Sequence, residues 1–176
     1  MMKNKTTKHL REGRRRVMGG LGALVIALSA LALTASAASA TMACNYPPGS
    51  NTCLTIESLG NRWYAVKIGI DIYMTRQEAQ ALIDWARVCW PQPCGLFTTR
   101  LFGDDSGGDP YLLTVPMSWV AAGEGGLSAE FDLVVYSTRL NEDTDGRDEL
   151  YAMVRMTDYD TGTSWAFTSG LVVGYY

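Results

Sequence analysis

The sequence predicts a mainly β fold, a β-sandwich or partly open barrel of about eight strands with one α-helix. Three observations carry this. Segments 63–73, 127–138 and 150–157 alternate apolar and polar residues with a period of two. Stretches of turn composition, rich in Asp and Gly, lie at 103–109, 141–149 and 158–162. The apolar period lengthens to that of a helix only once, after Thr75.

The first 40 residues stand apart from that pattern. They are basic and polar through Arg16. A run of small apolar residues then extends over 21–37, and Ala35-Ser36-Ala37 and Ala38-Ser39-Ala40 both offer small-x-small cleavage sites. This is the anatomy of a signal peptide, 1–40, rather than a membrane anchor. Arg14-Arg15-Arg16-Val17-Met18 fits an Arg-Arg-x-apolar-apolar pattern, so the twin-arginine and general-secretory routes both stand. Thr41-Met42-Ala43-Cys44 is a poor lipoprotein site because the apolar run ends before it, and no stable membrane anchor is expected. Residues 41–176 are expected to form a single secreted β-rich domain.

Charge is divided unevenly between the two parts. Residues 1–40 hold seven Lys or Arg and one acid, which leaves eight basic and 17 acidic residues in 41–176, a net of −9. Such a domain repels nucleic acid and anionic membrane surfaces, and it attracts cations or basic partners.

All four cysteines, Cys44, Cys53, Cys89 and Cys94, fall in the exported part, where an even count reads as two disulfides. Of the three connectivities, the local pairs are preferred: Cys44 with Cys53, around a Pro-Pro-Gly bend, and Cys89 with Cys94, around CWPQPC. The spacings fit neither a redox motif nor a zinc site. The single histidine, His9, lies in the segment to be removed. The exported chain therefore lacks a Ser-His-Asp or Cys-His relay and any histidine metal ligand. Its acids sit in polar loops where they stay ionised, which argues against a glycosidase pair. No catalytic residues are assigned, and an enzyme is not expected.

The elements follow in order. A short strand at 54–57 precedes a turn at Asn61. The strand over 63–73 puts Val66, Ile68, Ile70 and Ile72 on one face and Lys67, Gly69, Asp71 and Tyr73 on the other. Thr75-Arg76-Gln77-Glu78 is a capping box. Ala79, Leu82, Ile83 and Ala86 then form the apolar stripe of a helix that ends near Cys89, before Pro91. Strands are expected at 96–102, 111–115 and 118–121, with Pro116 interrupting the last two and a flexible Gly-rich stretch at 122–126. Over 127–138, Leu127, Ala129, Phe131, Leu133 and Val135 share a face; over 150–157, Leu150, Ala152, Val154 and Met156 do. Strands at 164–167 and 171–176 complete the set, the last an edge available to a partner. Trp63, Trp85, Trp90, Trp119 and Trp165 are read first as core or helix-covering residues.

The acidic loops admit a calcium reading. Asn141, Asp143 and Asp145 with Gly146 imitate the start of an EF-hand loop, but position twelve is Ala152 and the flanks are strands. Asp143, Asp145 and Asp148, with Asp104 or Asp109 from the neighbouring loop, remain candidate Ca²⁺ ligands. The alternative is a set of solvated turns with no cofactor.

Four segments carry a family resemblance: Thr75-x-x-Glu78-Ala79-Gln80-x-Leu82-Ile83, Arg100-Leu101-Phe102-Gly103-Asp104-Asp105, Leu140-Asn141-Glu142-Asp143 and Asp148-Glu149-Leu150-Tyr151-Ala152. Together they span most of the exported chain, which resembles small secreted bacterial proteins with paired cysteines, in particular the adaptor subunits of umbrella toxin particles. The resemblance implies a non-catalytic connector joining lectin-bearing subunits to a large repeat-containing, stalked toxin protein in an antibacterial assembly. It assigns no contact residues. Two other readings stand beside it. One is a calcium-dependent carbohydrate or surface binder with Trp63, Trp119 or Trp165 as sugar platforms. The other is a secreted hydrolase inhibitor presenting a rigid disulfide loop.

Overall fold

A computed structural model describes residues 39–88, 95–141 and 147–176. Among them, ten strands form two antiparallel sheets that face each other without closing into a barrel, so the sandwich is the architecture present. The first sheet takes β1 (Ala40–Asn45), β2 (Ser50–Gly60), β3 (Trp63–Ile72), β7 (Gly126–Tyr136) and β6 (Met117–Gly123), in that spatial order. The second is built around β8 (Asp148–Thr157). On one side β8 pairs with β4 (Phe97–Gly103), which pairs in turn with β5 (Tyr111–Thr114). Its other side is shared by β9 (Ser164–Thr168) and β10 (Val172–Gly174). Ser169 carries the ladder across the gap between these two: its amide donates to the Ala152 carbonyl at 2.9 Å and its hydroxyl accepts from the Ala152 amide at 2.9 Å.

The core lies between the sheets and is made by the expected alternation. Val66, Ile68, Ile70 and Ile72 from β3 meet Leu127, Ala129, Phe131 and Val135 from β7, all buried; Leu150, Ala152, Val154 and Met156 from β8 face them. The rings of Phe97 and Phe131 meet edge to face at 5.8 Å. The helix α1 (Arg76–Val88) starts as the capping box requires. The Glu78 amide donates to the Thr75 hydroxyl at 3.2 Å, and the Thr75 amide donates to the Glu78 carboxylate at 2.8 Å. Ala79, Ile83 and Ala86 bury its inner face in the same core.

The N-terminal half differs from expectation. The strand expected at 54–57 is eleven residues long, and β1 precedes it. Short-range alternation did not reveal β1 because its residues lie along a sheet edge and are mostly exposed. Cys44 stands directly opposite Cys53 in this hairpin and the two are joined, with Cα atoms 4.0 Å apart. The turn between the strands uses Pro48 at its second position and Gly49 at its third, at φ +88°. The Ser39 carbonyl already accepts from the Ser58 amide. Of the two expected cleavage sites, the one after Ala37 would leave β1 whole, whereas the one after Ala40 would remove its first pairing residue. The stretch expected to be flexible at 122–126 is a tight turn: Gly123 pairs with Gly126, which sits at φ +121°. A side chain at Gly126 would collide with the Ile72 carbonyl, so only glycine fits there.

Residues 1–38, all of the expected signal peptide but Ser39 and Ala40, lie outside the described residues, as do Cys89, Trp90, Cys94, Asp143 and Asp145. Among the described residues no helix is long and apolar enough to cross a membrane.

Replacing both Cys44 and Cys53 by serine releases a short loop in the unfolded chain. It is expected to lower stability by about 2–3 kcal/mol. Guanidinium denaturation of the oxidised protein against the double variant measures this; equal midpoints would show that the hairpin holds without the bridge.

Candidate functional site

A groove of about 630 Å³ lies between α1 and β9. One wall is the outer side of α1, where Glu78, Leu82 and Trp85 follow one another at helical spacing. The other wall is the inner face of the second sheet. There Trp165 and Phe167 of β9 lie opposite Met156 and Val154 of β8. Tyr73 and Met74, which lead from β3 into α1, form the end. Trp165 and Phe167 point the way their buried neighbours on β8 point, yet the helix does not cover them. Trp85 is 47% exposed and Trp165 43%. Among the described residues β9 pairs with β8 alone, so its other edge runs unpaired beside these side chains.

Carboxylates mark the rim. Glu78 is held below the usual carboxylate range by the Thr75 hydroxyl and then by the Thr75 amide. Asp158 is lowered chiefly by the Thr161 hydroxyl, which donates to it at 2.7 Å, with help from the Asp160 and Thr161 amides. Asp160 stands beside it. Two of the three rim acids thus stay ionised in more acidic solution than free carboxylates do. The 158–162 turn is built by these same bonds, closed by the Gly162 amide donating to the Asp158 carbonyl at 2.8 Å. Its acidity therefore has a structural origin, as Asp-rich turns generally do.

Three of the candidate calcium ligands lie among the described residues. Asp148 opens β8 on the core side and is fully buried. Asp104 and Asp109 lie in the β4–β5 loop, exposed. Asp109 accepts a hydrogen bond at 2.7 Å from the Tyr151 hydroxyl, which projects from the opposite face of β8 to Asp148. Asp143 and Asp145 lie outside the described residues. Among the described residues no group of three or more His, Cys, Asp or Glu side chains is gathered to hold a metal ion.

The tryptophans overturn one expectation. Trp63, Trp85, Trp119 and Trp165 are between 43% and 48% exposed; none is core. For Trp85 the signal was present in the sequence. At 100° per residue it lies roughly 130° around the helix from the Ala79-Ile83-Ala86 stripe. Trp119, on the outer face of the first sheet, borders a second, smaller recess of about 360 Å³ that opens because Gly69 has no side chain. Asn51, Asp71, Ser128 and Glu130 complete it. Asp71 accepts from Asn51 at 3.0 Å and from the Ser128 hydroxyl at 2.6 Å. Sequence reasoning singled out Trp119 and Trp165 only as sugar platforms. It missed Tyr73 and Leu82 as groove residues because they were assigned to a strand and to the helix stripe, and Met74 because it lies between those elements and was assigned to neither.

The fold and site define a disulfide-bridged β-sandwich with an aromatic groove at an open strand edge. Neither protein-family models nor curated proteins match the chain.

Desolvation, and then the bond to Asp109, pushes the Tyr151 hydroxyl up to about 12. The neutral phenol is thus favoured by folding. Its contribution to stability is complete below the ordinary tyrosine range near 10 and is lost as pH rises toward about 12. Burial raises the Tyr176 hydroxyl as well, so ultraviolet titration should show two late-ionising phenols, of which one disappears in Tyr151→Phe and ionises earlier in Asp109→Asn. A wild-type titration in which every described tyrosine ionises in the ordinary range would contradict this assignment.

Proposed function

We propose that the protein is a non-catalytic, secreted protein-interaction module whose partner seats a segment in the groove between α1 and β9. The observation that carries this is the pair of half-exposed tryptophans, Trp85 and Trp165, lining one groove beside an unpaired strand edge. An extended segment suits that shape. It adds to the free edge of β9 through main-chain hydrogen bonds and turns alternate apolar side chains onto Trp165 and Phe167. Glu78, Asp158 and Asp160 at the rim select a segment with Lys or Arg beside its apolar residues. Tryptophan in a partly enclosed patch is the residue type that most often dominates binding energy. The Cys44–Cys53 bridge agrees with an oxidising, extracytoplasmic compartment. Following the family resemblance, the module is an adaptor that joins lectin subunits to a large repeat-containing stalk protein in an antibacterial toxin particle.

The test is affinity purification from culture supernatant with the exported domain as bait. Lectin and repeat-containing partners are expected. Trp85→Ala and Trp165→Ala should each weaken capture about tenfold or more, with melting temperatures that show the fold intact. Partners held equally by both variants would remove the groove from the account.

A second reading rests on Trp119. Its exposed ring beside Asn51, Asp71 and Glu130 is the combination of stacking platform and fixed hydrogen-bonding groups that a sugar requires. On this reading a glycan array gives signal that Trp119→Ala abolishes, and a chelator arm decides whether calcium takes part. An array silent for the wild type ends it.

A further inference from the structure

The centre of the second sheet's outer face departs from the acidity of the domain; the carboxylates Glu149 and Asp109, the latter bonded to Tyr151, lie toward one end of that face. Arg100 on β4 and Arg155 on β8 both project from it, exposed. They are diagonal neighbours, since Arg100 pairs with Met153 and Thr98 with Arg155. The four side chains line a shallow recess of about 230 Å³. Four cations of the domain have carboxylate partners: Lys67 with Glu57, Arg76 with Glu124, Arg87 with Asp84 and Arg147 with Glu149; Arg62 lies against the Tyr136 ring and Arg139 donates to the Leu112 carbonyl instead. Among the described residues neither Arg100 nor Arg155 has one. Arg100 instead lies over the Tyr111 ring, 5.9 Å from its centre, which steadies the guanidinium without neutralising it.

We infer that this face is a docking site for an acidic, extended segment of a partner protein, separate from the groove beside β9. Two arguments select that occupant. The first is spacing. Diagonal neighbours on antiparallel strands stand about 7–8 Å apart. Carboxylates two residues apart on an extended chain are separated by roughly 7 Å, so each meets one guanidinium fork. The second is the state of the nearby rings. Phe102 and Tyr151 stack on each other, 5.5 Å apart and 17° from parallel, and Arg100 occupies a face of Tyr111. These rings have faces already engaged, which disfavours an anionic sugar relative to a peptide. Met153, between the arginines, offers an apolar contact to the side chain lying between the two acids.

The probe is a blocked peptide alternating glutamate and threonine, titrated into the exported domain at low salt and compared with its glutamine counterpart. The glutamate peptide is expected to bind, and added salt to weaken it. Arg100→Gln and Arg155→Gln should each weaken it about threefold to tenfold, the double variant more. Arg155→Lys, which keeps charge but loses the fork, should fall between. Trp85→Ala and Trp165→Ala should leave this binding unchanged, which separates the inference from the groove reading. Several results would overturn it: no binding of the glutamate peptide, equal binding of the glutamine peptide, or equal binding by the double variant. So would an oligogalacturonate that binds more tightly, or self-association in sedimentation that the double variant abolishes.

Discussion

Ten consecutive residue pairs join β3 to β7, from Trp63 opposite Tyr136 to Ile72 opposite Leu127, without a shift in register. The rest of the structure depends on this ladder. A slip of one residue would turn Val66, Ile68, Ile70 and Ile72 outward and bring Lys67 and Asp71 into the core. The register also sets the two ends of the domain. At one end Gly126 passes so close to the Ile72 carbonyl that no side chain fits, which anchors the β6–β7 turn against the start of α1. At the other, Asn61 and Arg62 adopt positive φ, the conformation that a two-residue hairpin turn requires. Because β3 ends where it does, Tyr73 and Met74 lead into the helix at the mouth of the groove. The site is thus a consequence of the register rather than an addition to it.

Where a strand buries one face, its pattern was legible before any coordinates. β3, β7 and β8 follow the predicted alternation because burial acts on every second residue. The helix was equally legible, since Thr75 and Glu78 form a local device that needs no distant partner. Failure came where local pattern and tertiary position part company. β1 is an edge strand with little buried area, and its sequence reads as the tail of an export segment. The 122–126 stretch was read as flexible because it is glycine-rich. In the fold those glycines are what a tight turn packed against backbone demands. The groove was invisible for a different reason: its walls are separated by some eighty residues of sequence, and only β8–β9 pairing brings them to one place.

The exposed tryptophans show how a general preference is overruled. Large aromatic rings supply most energy when buried, and small domains have few positions to spare for them at the surface. Here the interior is filled by aliphatic residues and two phenylalanines, and none of the four described tryptophans is core. Each lies half-exposed near a polar rim or sheet face. That arrangement forgoes stability from burial within the chain and leaves the same area available to be buried in association. Retained apolar area of this kind marks surfaces that associate.

Charge extends the same argument to selectivity. The outer face of the first sheet carries Glu57, Asp71, Glu130 and Asp132 with a single lysine, Lys67. The centre of the opposite outer face carries Arg100 and Arg155 and no acid. The groove, rimmed by Glu78, Asp158 and Asp160, has the sign of the first sheet. A partner complementary to one surface is therefore repelled by the other. Discrimination between two surfaces depends on the difference in affinity, and repulsion contributes to it as effectively as attraction does. Uniform acidity would serve solubility as well, but it would let one basic partner compete for every face. The division of sign across the sandwich removes that competition.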